Sequence, residues 1–315
     1  MALHSHTHKK HTLAESYISN MDAIHKILLA GGTHGNELTG VHLVREWLQH
    51  PHSLEFAGLD IHLLLANPDA IRLCRRYFEF DLNRAFSNSL LDETYPAPSH
   101  EVARAREINR TYGPKGSALA PDLAIDLHNS TANMGISIIL NRLDPYVKRI
   151  CAILAQEFAE VRLVYQPEPE ASIPYLPSLA KRDITIEVGP QAHGTLSAKL
   201  YQRTQAVVLR LLELTVQWNQ DTLPAQTIPV EVFTQTGVLD YPRSLEGSLL
   251  AIIHPKVEGR DFEAVETGAP LFMTFAGETI TWQGNATLWP CFLGEAAYLE
   301  KRIALTILER TMENW

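Results

Sequence analysis

Two residues at the close of a glycine turn carry the first chemical signal. In Gly31-Gly-Thr-His34-Gly-Asn-Glu37 an imidazole and a carboxylate stand three residues apart, where an apolar run gives way to a helical one. That junction is the carboxyl end of a parallel strand, the edge at which open α/β sheets bind ligands. Imidazole nitrogen and carboxylate oxygen together suit a zinc ion. A third donor has to come from another strand end, and Ile125-Asp-Leu-His128-Asn-Ser offers His128 in that position. Two histidines and a glutamate with an open fourth position make the catalytic type of zinc site, in which bound water is acidified toward neutral pH. Taken singly, His-x-x-Glu or one His after a strand is common as solvated or hydrogen-bonded structure. The coincidence of all three at strand ends carries the reading.

Hydrolysis at such a site also needs a proton acceptor and a cation for the developing oxyanion. Glu187, in Ile184-Thr-Ile-Glu187-Val-Gly-Pro-Gln191, interrupts an apolar strand where an unpaired carboxylate is costly to bury, and it is the candidate acid/base. The alternative is an outward residue on an edge strand. Arginines gather in Leu73-Cys-Arg-Arg76-Tyr and Asp81-Leu-Asn83-Arg84-Ala. Guanidinium pairs with a carboxylate through two parallel hydrogen bonds, and Asn83 adds an amide donor. Arg76, Asn83 and Arg84 are therefore candidate substrate contacts, whereas Arg72 and Arg75 read as solvated surface.

The elements that must hold these residues alternate strand and helix. Strands are expected at Ile24 to Ala30, Asp60 to Ala66, Leu123 to Leu127, Ile136 to Leu140 and Asp183 to Val188. Helical spacing covers Asn36 to His50, His100 to Thr111, Leu143 to Phe158 and Ser197 to Trp218. This is the pattern of an α/β domain with a mostly parallel sheet and helices on both faces. Polar residues from Asn219 to Pro229 interrupt it, so a zinc-binding catalytic domain is expected over residues 21–220 and a smaller β-rich domain over 221–315. Within the latter, short strands are expected at Val230 to Gln235, Leu249 to Ile253, Leu271 to Phe275, Thr279 to Trp282 and Thr287 to Phe292, then a closing helix from Ala297 to Arg310.

Bulk properties narrow the partner. A net charge of −9, with no run rich in Lys and Arg, argues against nucleic acid and for a small molecule. Three cysteines without a C-x-x-C pair argue against a disulfide framework and a thiolate zinc site, and fit a reducing cytoplasm. No apolar run reaches the length that spans a bilayer, so no membrane association is expected. The histidines between His4 and His11 fall in an expected flexible tail, residues 1–20, which supplies ligands without geometry.

The segments G-G-T-H-G-N-E-L-T-G, D-L-N-R, D-L-H-N-S-T-A-N-M-G and I-E-V-G-P-Q, with A-I-I-H-P and E-A-A-Y further on, together resemble the aspartoacylase and succinylglutamate desuccinylase family of zinc carboxypeptidase-like enzymes, from about Ile24 to about Arg302. The resemblance implies a carboxypeptidase-like α/β domain, a β-rich C-terminal domain narrowing access to the site, one zinc per chain and a homo-oligomer. It also implies amidohydrolase activity, the cleavage of N-acetyl-L-aspartate to acetate and L-aspartate. Carried over, the zinc ligands match His34, Glu37 and His128, and the acid/base matches Glu187. Arg76 matches the carbonyl-polarising arginine, Asn83 and Arg84 the pair that grips the α-carboxylate, and Tyr298 a tyrosine facing the substrate. One departure concerns the arginine that meets the substrate β-carboxylate, which is absent from Ile173-Pro-Tyr175-Leu-Pro-Ser-Leu-Ala-Lys181-Arg182. Lys181, Arg182 and Arg302 are the candidates to replace it, Arg302 first because four residues separate it from Tyr298 on the expected closing helix. Competing readings are an aminoacylase for N-acetylated aromatic or S-substituted cysteine amino acids, a zinc carboxypeptidase, and a binding protein with structural zinc. The last would need a fourth protein ligand, which the sequence does not offer.

Overall fold

Alternation decides the architecture. The computed structural model describes residues 23–224 and 226–315, so the tail expected over 1–20 lies outside the described residues. A nine-stranded sheet has the order β11-β12-β7-β5-β4-β6-β3-β1-β2. Its strands are β1 (Lys26–Gly31), β2 (Asp60–Leu65), β3 (Leu123–Asn129), β4 (Gly135–Leu140), β5 (Val161–Tyr165), β6 (Arg182–Gly189), β7 (Pro229–Leu239), β11 (Trp289–Cys291) and β12 (Leu305–Asn314). Pairings among β2, β1, β3 and β6, and among β4, β5 and β7, are parallel. Where β6 meets β4 the direction reverses, and β7, β12 and β11 continue antiparallel.

Six helices are described: α1 (Leu38–Gln49), α2 (Pro68–Leu73), α3 (Asn88–Leu91), α4 (His100–Tyr112), α5 (Pro145–Glu157) and α6 (Ala198–Asn219). Leu43 and Trp47 of α1, Ile150 of α5 and Val207 of α6 share one core with Ile27, Ile125, Ile138, Ile184 and Ile186 of the sheet. The opposite face of the same strands buries Leu28 and Ala124 against Val102, Ala105 and Ile108 of α4. In β6 the even residues Ile184, Ile186 and Val188 therefore enter the first core, and Thr185 and Glu187 face the other side. Burying one such aliphatic side chain is worth about 1.5–3 kcal/mol, so a register slip of one residue, which would expose all three, is strongly disfavoured.

The C-terminal region is β-rich, and it is joined to the sheet through β7, β11 and β12. A three-stranded antiparallel sheet stands apart, formed by β8 (Ala251–Ile253), β9 (Pro270–Thr274) and β10 (Thr279–Thr281) around its own core of Ala251, Leu271, Phe272 and Leu305.

One strand escapes the sequence pattern, and one expectation needs correction. Strand β5 carries no expectation from the sequence, yet it lies between β4 and β7. The closing helix from Ala297 to Arg310 does not form: a 3-10 turn at Ala296–Tyr298 is followed by Arg302 at φ 57°, and Leu305–Asn314 is a strand paired along its length with β7. Strong helix formers and helical spacing gave the wrong period, because ten residues of distant pairing outweigh local propensity.

Candidate active site

The turn after β1 aims the first two donors. Gly32 takes φ +72°, and a Cβ on Gly35 would sit 2.0 Å from the Ala70 carbonyl carbon of α2, so only glycine lets this loop pass so close to the helix. The Gly35 amide donates to the Arg76 carbonyl at 3.2 Å, which ties the loop to the segment bearing Arg76. Glu37 directly precedes α1 and places its carboxylate near the positive end of that helix. His128 comes from β3, every residue of which is buried.

His34 Nδ1 lies 2.8 Å from Glu37 Oε1, His128 Nδ1 lies 2.9 Å from Glu37 Oε2, and the two Nδ1 atoms are 3.1 Å apart. Each ring is fixed from behind. His34 Nε2 is 2.9 Å from Asp81 Oδ1, and His128 Nε2 is 2.8 Å from Asp126 Oδ2, itself held by Thr33 Oγ1. An ionised carboxylate only accepts, so each Nε2 carries a proton toward its aspartate, and in each neutral ring the Nδ1 lone pair is the one available to a metal shared with Glu37. Two imidazole nitrogens and a carboxylate oxygen thus converge in a buried place, where all three could hold one cation. The donor set, two imidazole nitrogens and a carboxylate, fits zinc, and the backing carboxylates are the usual partners of metal-bound histidines. Asp126→Asn should weaken metal affinity about 10–100-fold in a chelator competition; unchanged affinity would leave Asp126 without this role.

The electrostatics follow from this packing. Burial alone would raise the Glu37 carboxyl, but the two imidazoles hold it well below the ordinary carboxylate range. Asp81 behaves likewise: burial opposes ionisation, and His34, Arg76 and Arg84 overcome it. Arg76 donates to Glu37 at 3.0 Å and to Asp81 at 3.3 Å, while its buried Nε has no partner among the described residues. Glu187 is different. Its carboxylate accepts no hydrogen bond from the described residues, and burial followed by the nearby Glu37 charge pushes its pKa well above the ordinary value.

Asn83 and Arg84 follow Asp81 in a short 3-10 turn. The Asn83 side-chain oxygen Oδ1 accepts from the Leu176 amide at 3.0 Å, which leaves its NH2 group as a donor. Arg84 lies over the Tyr175 ring at 4.9 Å and gives one hydrogen bond to the Asn83 carbonyl, so most of its fork remains open. Lys115 clamps this corner with bonds to the carbonyls of Phe86 and Ile173 and to Ser178 Oγ.

His34, Glu37, His128, Glu187, Arg76, Asn83, Arg84, Tyr175 and Tyr298 all line one pocket. Part of its wall comes from the C-terminal region, through Tyr298, Phe292, Glu295 and Lys301. Glu295 bolts that wall to the loop after His128: it accepts from the Thr131 amide at 2.8 Å, from Thr131 Oγ1 at 3.0 Å and from Ser130 Oγ. Asp261 adds a bond from the Asn133 amide at 3.1 Å.

The three cations proposed to replace the absent arginine stand elsewhere. Lys181 pairs with Asp122 at 2.8 Å and Arg182 with Asp144, and the Arg302 guanidinium lies against Gly247. None of them lines the pocket. Without the closing helix, Arg302 shares no face with Tyr298. Its neighbour Lys301 turns in instead, 2.8 Å from Asp81 Oδ2. Sequence reasoning missed Lys301, Asp81 and Asp126. For Asp126 a signal existed, since residues two apart on a strand share a face and Asp126 stands two before His128.

Known proteins share both regions of the chain. Residues 23–215 match the model of the succinylglutamate desuccinylase/aspartoacylase catalytic domain, and residues 228–310 that of the AstE/AspA barrel-sandwich hybrid domain. An N-acyl-aromatic-L-amino acid amidohydrolase (carboxylate-forming) of Homo sapiens is 39% identical over 92% of each chain. A probable aspartoacylase of Nostoc sp. is 38% identical over 93% of this chain and 99% of the relative. The crystal structure of murine aminoacylase 3 superposes with a TM-score of 0.89 at 34% identity, covering 93% of this chain and 97% of the other. The chain belongs to the succinylglutamate desuccinylase/aspartoacylase family.

Proposed function

We propose that the protein is a zinc-dependent amidohydrolase that removes the acyl group from N-acyl-L-amino acids, with one zinc held by His34, Glu37 and His128. The observation that carries this reading is the set of groups gathered in one pocket: the converging donors of His34, Glu37 and His128, the Glu187 carboxylate that accepts no hydrogen bond from the described residues, and the open donors of Asn83 and Arg84. Bound zinc would polarise the scissile carbonyl and acidify water. Arg84 and Asn83 hold the α-carboxylate of the substrate. Arg76 faces the carbonyl oxygen as it gains charge. Glu187 takes a proton from the attacking water and delivers it to the departing nitrogen as the C–N bond breaks, which leaves a carboxylate and a free amino acid. Tyr298 closes the pocket from the C-terminal side; residues 221–315 narrow access to a catalytic domain over 21–220. A homo-oligomer in the cytoplasm, where Cys74, Cys151 and Cys291 stay reduced, completes the reading.

The side chain that best fits is neutral, as in the N-acyl-aromatic class. Acetyl-aspartate needs a cation facing its β-carboxylate, because leaving one partner of a buried pair alone costs about 3–5 kcal/mol. Arg76 and Lys301 are spent on Asp81 and Arg84 is the α-carboxylate clamp, while Glu168 adds a negative charge to the lining. Lys301 keeps acetyl-aspartate as the second reading, since its ammonium is the one further Lys or Arg cation among the described lining residues. Side-by-side turnover of acetylated phenylalanine, tyrosine, aspartate and glutamate by the zinc-loaded protein tests this: aromatic substrates should lead, and faster aspartate would reverse the order.

The two arginines should separate kinetically. Arg84 binds substrate and transition state alike, so Arg84→Ala should raise KM about 10–100-fold. Arg76→Ala, measured per bound zinc, should lower kcat by about 10²–10³. Exchanged effects would exchange the roles.

A further inference from the structure

Strand β7 contains one residue too many. Its pairing with β12 matches Gly237 to Ile307 but Gln235 to Leu308, so Thr236 has no opposite number and forms a bulge. Along a regular strand, residues three apart face opposite sides; across a bulge they can share one. Phe233 belongs to the apolar cluster beside the pocket, with Val164, Phe292 and Leu308, and Gln235 follows it on the same face. The bulge then brings Val238 round, and both Gln235 and Val238 line the pocket.

Gln235 is out of place chemically. Its cross-strand partner Leu308 and its same-face neighbour Phe233 are buried and apolar, and its side-chain amide makes no hydrogen bond to the described residues. The Thr185 hydroxyl, opposite Ile139 in the β4–β6 pairing, also has no partner among the described residues. The lining therefore offers neutral hydrogen-bonding groups, Gln235 and Thr185, together with Ile139, Val238, Phe292 and Ile303, while the Lys and Arg of the described lining are engaged elsewhere, Arg76 and Lys301 at Asp81 and Arg84 over Tyr175. Apolar walls with a polar end suit a flat ring that carries a hydroxyl.

We infer that the β7 bulge builds the wall that reads the substrate's side chain, with Val238 packing on an aromatic ring and Gln235 bonding a hydroxyl at its tip. This rests on the deacylase reading above. A site built to bond a hydroxyl penalises the analogue without it, because its polar groups are then left unpaired.

The test uses the full-length zinc-loaded protein with acetyl-tyrosine, acetyl-phenylalanine and acetyl-aspartate. Gln235→Leu, similar in size, should lower kcat/KM for acetyl-tyrosine about tenfold and leave acetyl-phenylalanine within about twofold. Val238→Arg, which installs a cation on the same wall, should shift preference toward acetyl-aspartate. Both variants should melt as cooperatively as the wild type; if one does not fold, the other still decides. Equal losses on the tyrosine and phenylalanine substrates, or an unchanged preference in Val238→Arg, overturns the role of β7 while leaving the deacylase intact. A wild-type protein that turns over no N-acyl amino acid removes the deacylase reading, and this inference with it.

Discussion

Replacing Glu187 with Gln should keep the fold and the bound zinc and lower turnover of every N-acyl amino acid by about 10²–10⁴-fold, the usual contribution of a positioned acid/base. The side chain pairs in register with His128 on β3 and Ser137 on β4, so it stands beside a metal-binding residue without using its own oxygens on the protein. A structural carboxylate in such a place would be hydrogen-bonded, as Glu295 and Asp126 are. The amide of Gln has the same shape, and it cannot take a proton from water. Metal content and melting temperature should therefore match the wild type while kcat collapses. Near-normal turnover in a folded, zinc-replete Glu187→Gln protein would assign the residue to structure instead.

How much of this was legible depends on how local each signal is. His34, Glu37 and His128 announce themselves because a polar metal-binding type at a strand end is visible in a few neighbouring residues. Glu187 is readable for a related reason: Ile184, Ile186 and Val188 define one face, which forces Thr185 and Glu187 onto the other. Asn83 and Arg84 could be chosen from their chemistry alone, but the reason they point inward could not, since it lies in the docking of Leu176 and Tyr175 from a segment about ninety residues later. Asp81 backs a histidine 47 residues away and Lys301 reaches it across 220 residues, and nothing in either neighbourhood hints at the other. The closing segment failed for the same reason in reverse. Residues 297–310 read as a helix because their local pattern is helical, and only β7, some seventy residues earlier in the chain, makes them a strand. Correcting that one element moved the pocket's cation from Arg302 to Lys301, and with it the balance between acidic and neutral substrates.

His128→Ala should abolish both the metal and the stability that the metal confers. A ligand that binds the folded protein and not the unfolded chain stabilises it by about 4 kcal/mol at a thousandfold excess over its Kd. For a chain of this size that corresponds to a rise in Tm on the order of 10 °C between stripped and zinc-loaded wild type. The sign is fixed by geometry: the three acceptor atoms are held together in the fold by Asp81, Asp126, Arg76 and the Asn129 amide, and no such cluster exists in an unfolded chain. With His128 gone the set of three is incomplete, so adding zinc should no longer raise the Tm of His128→Ala. Its zinc content should fall well below one per chain, and turnover should fall with it. Full zinc content and an undiminished zinc-dependent rise in Tm in His128→Ala would take His128 out of the metal site.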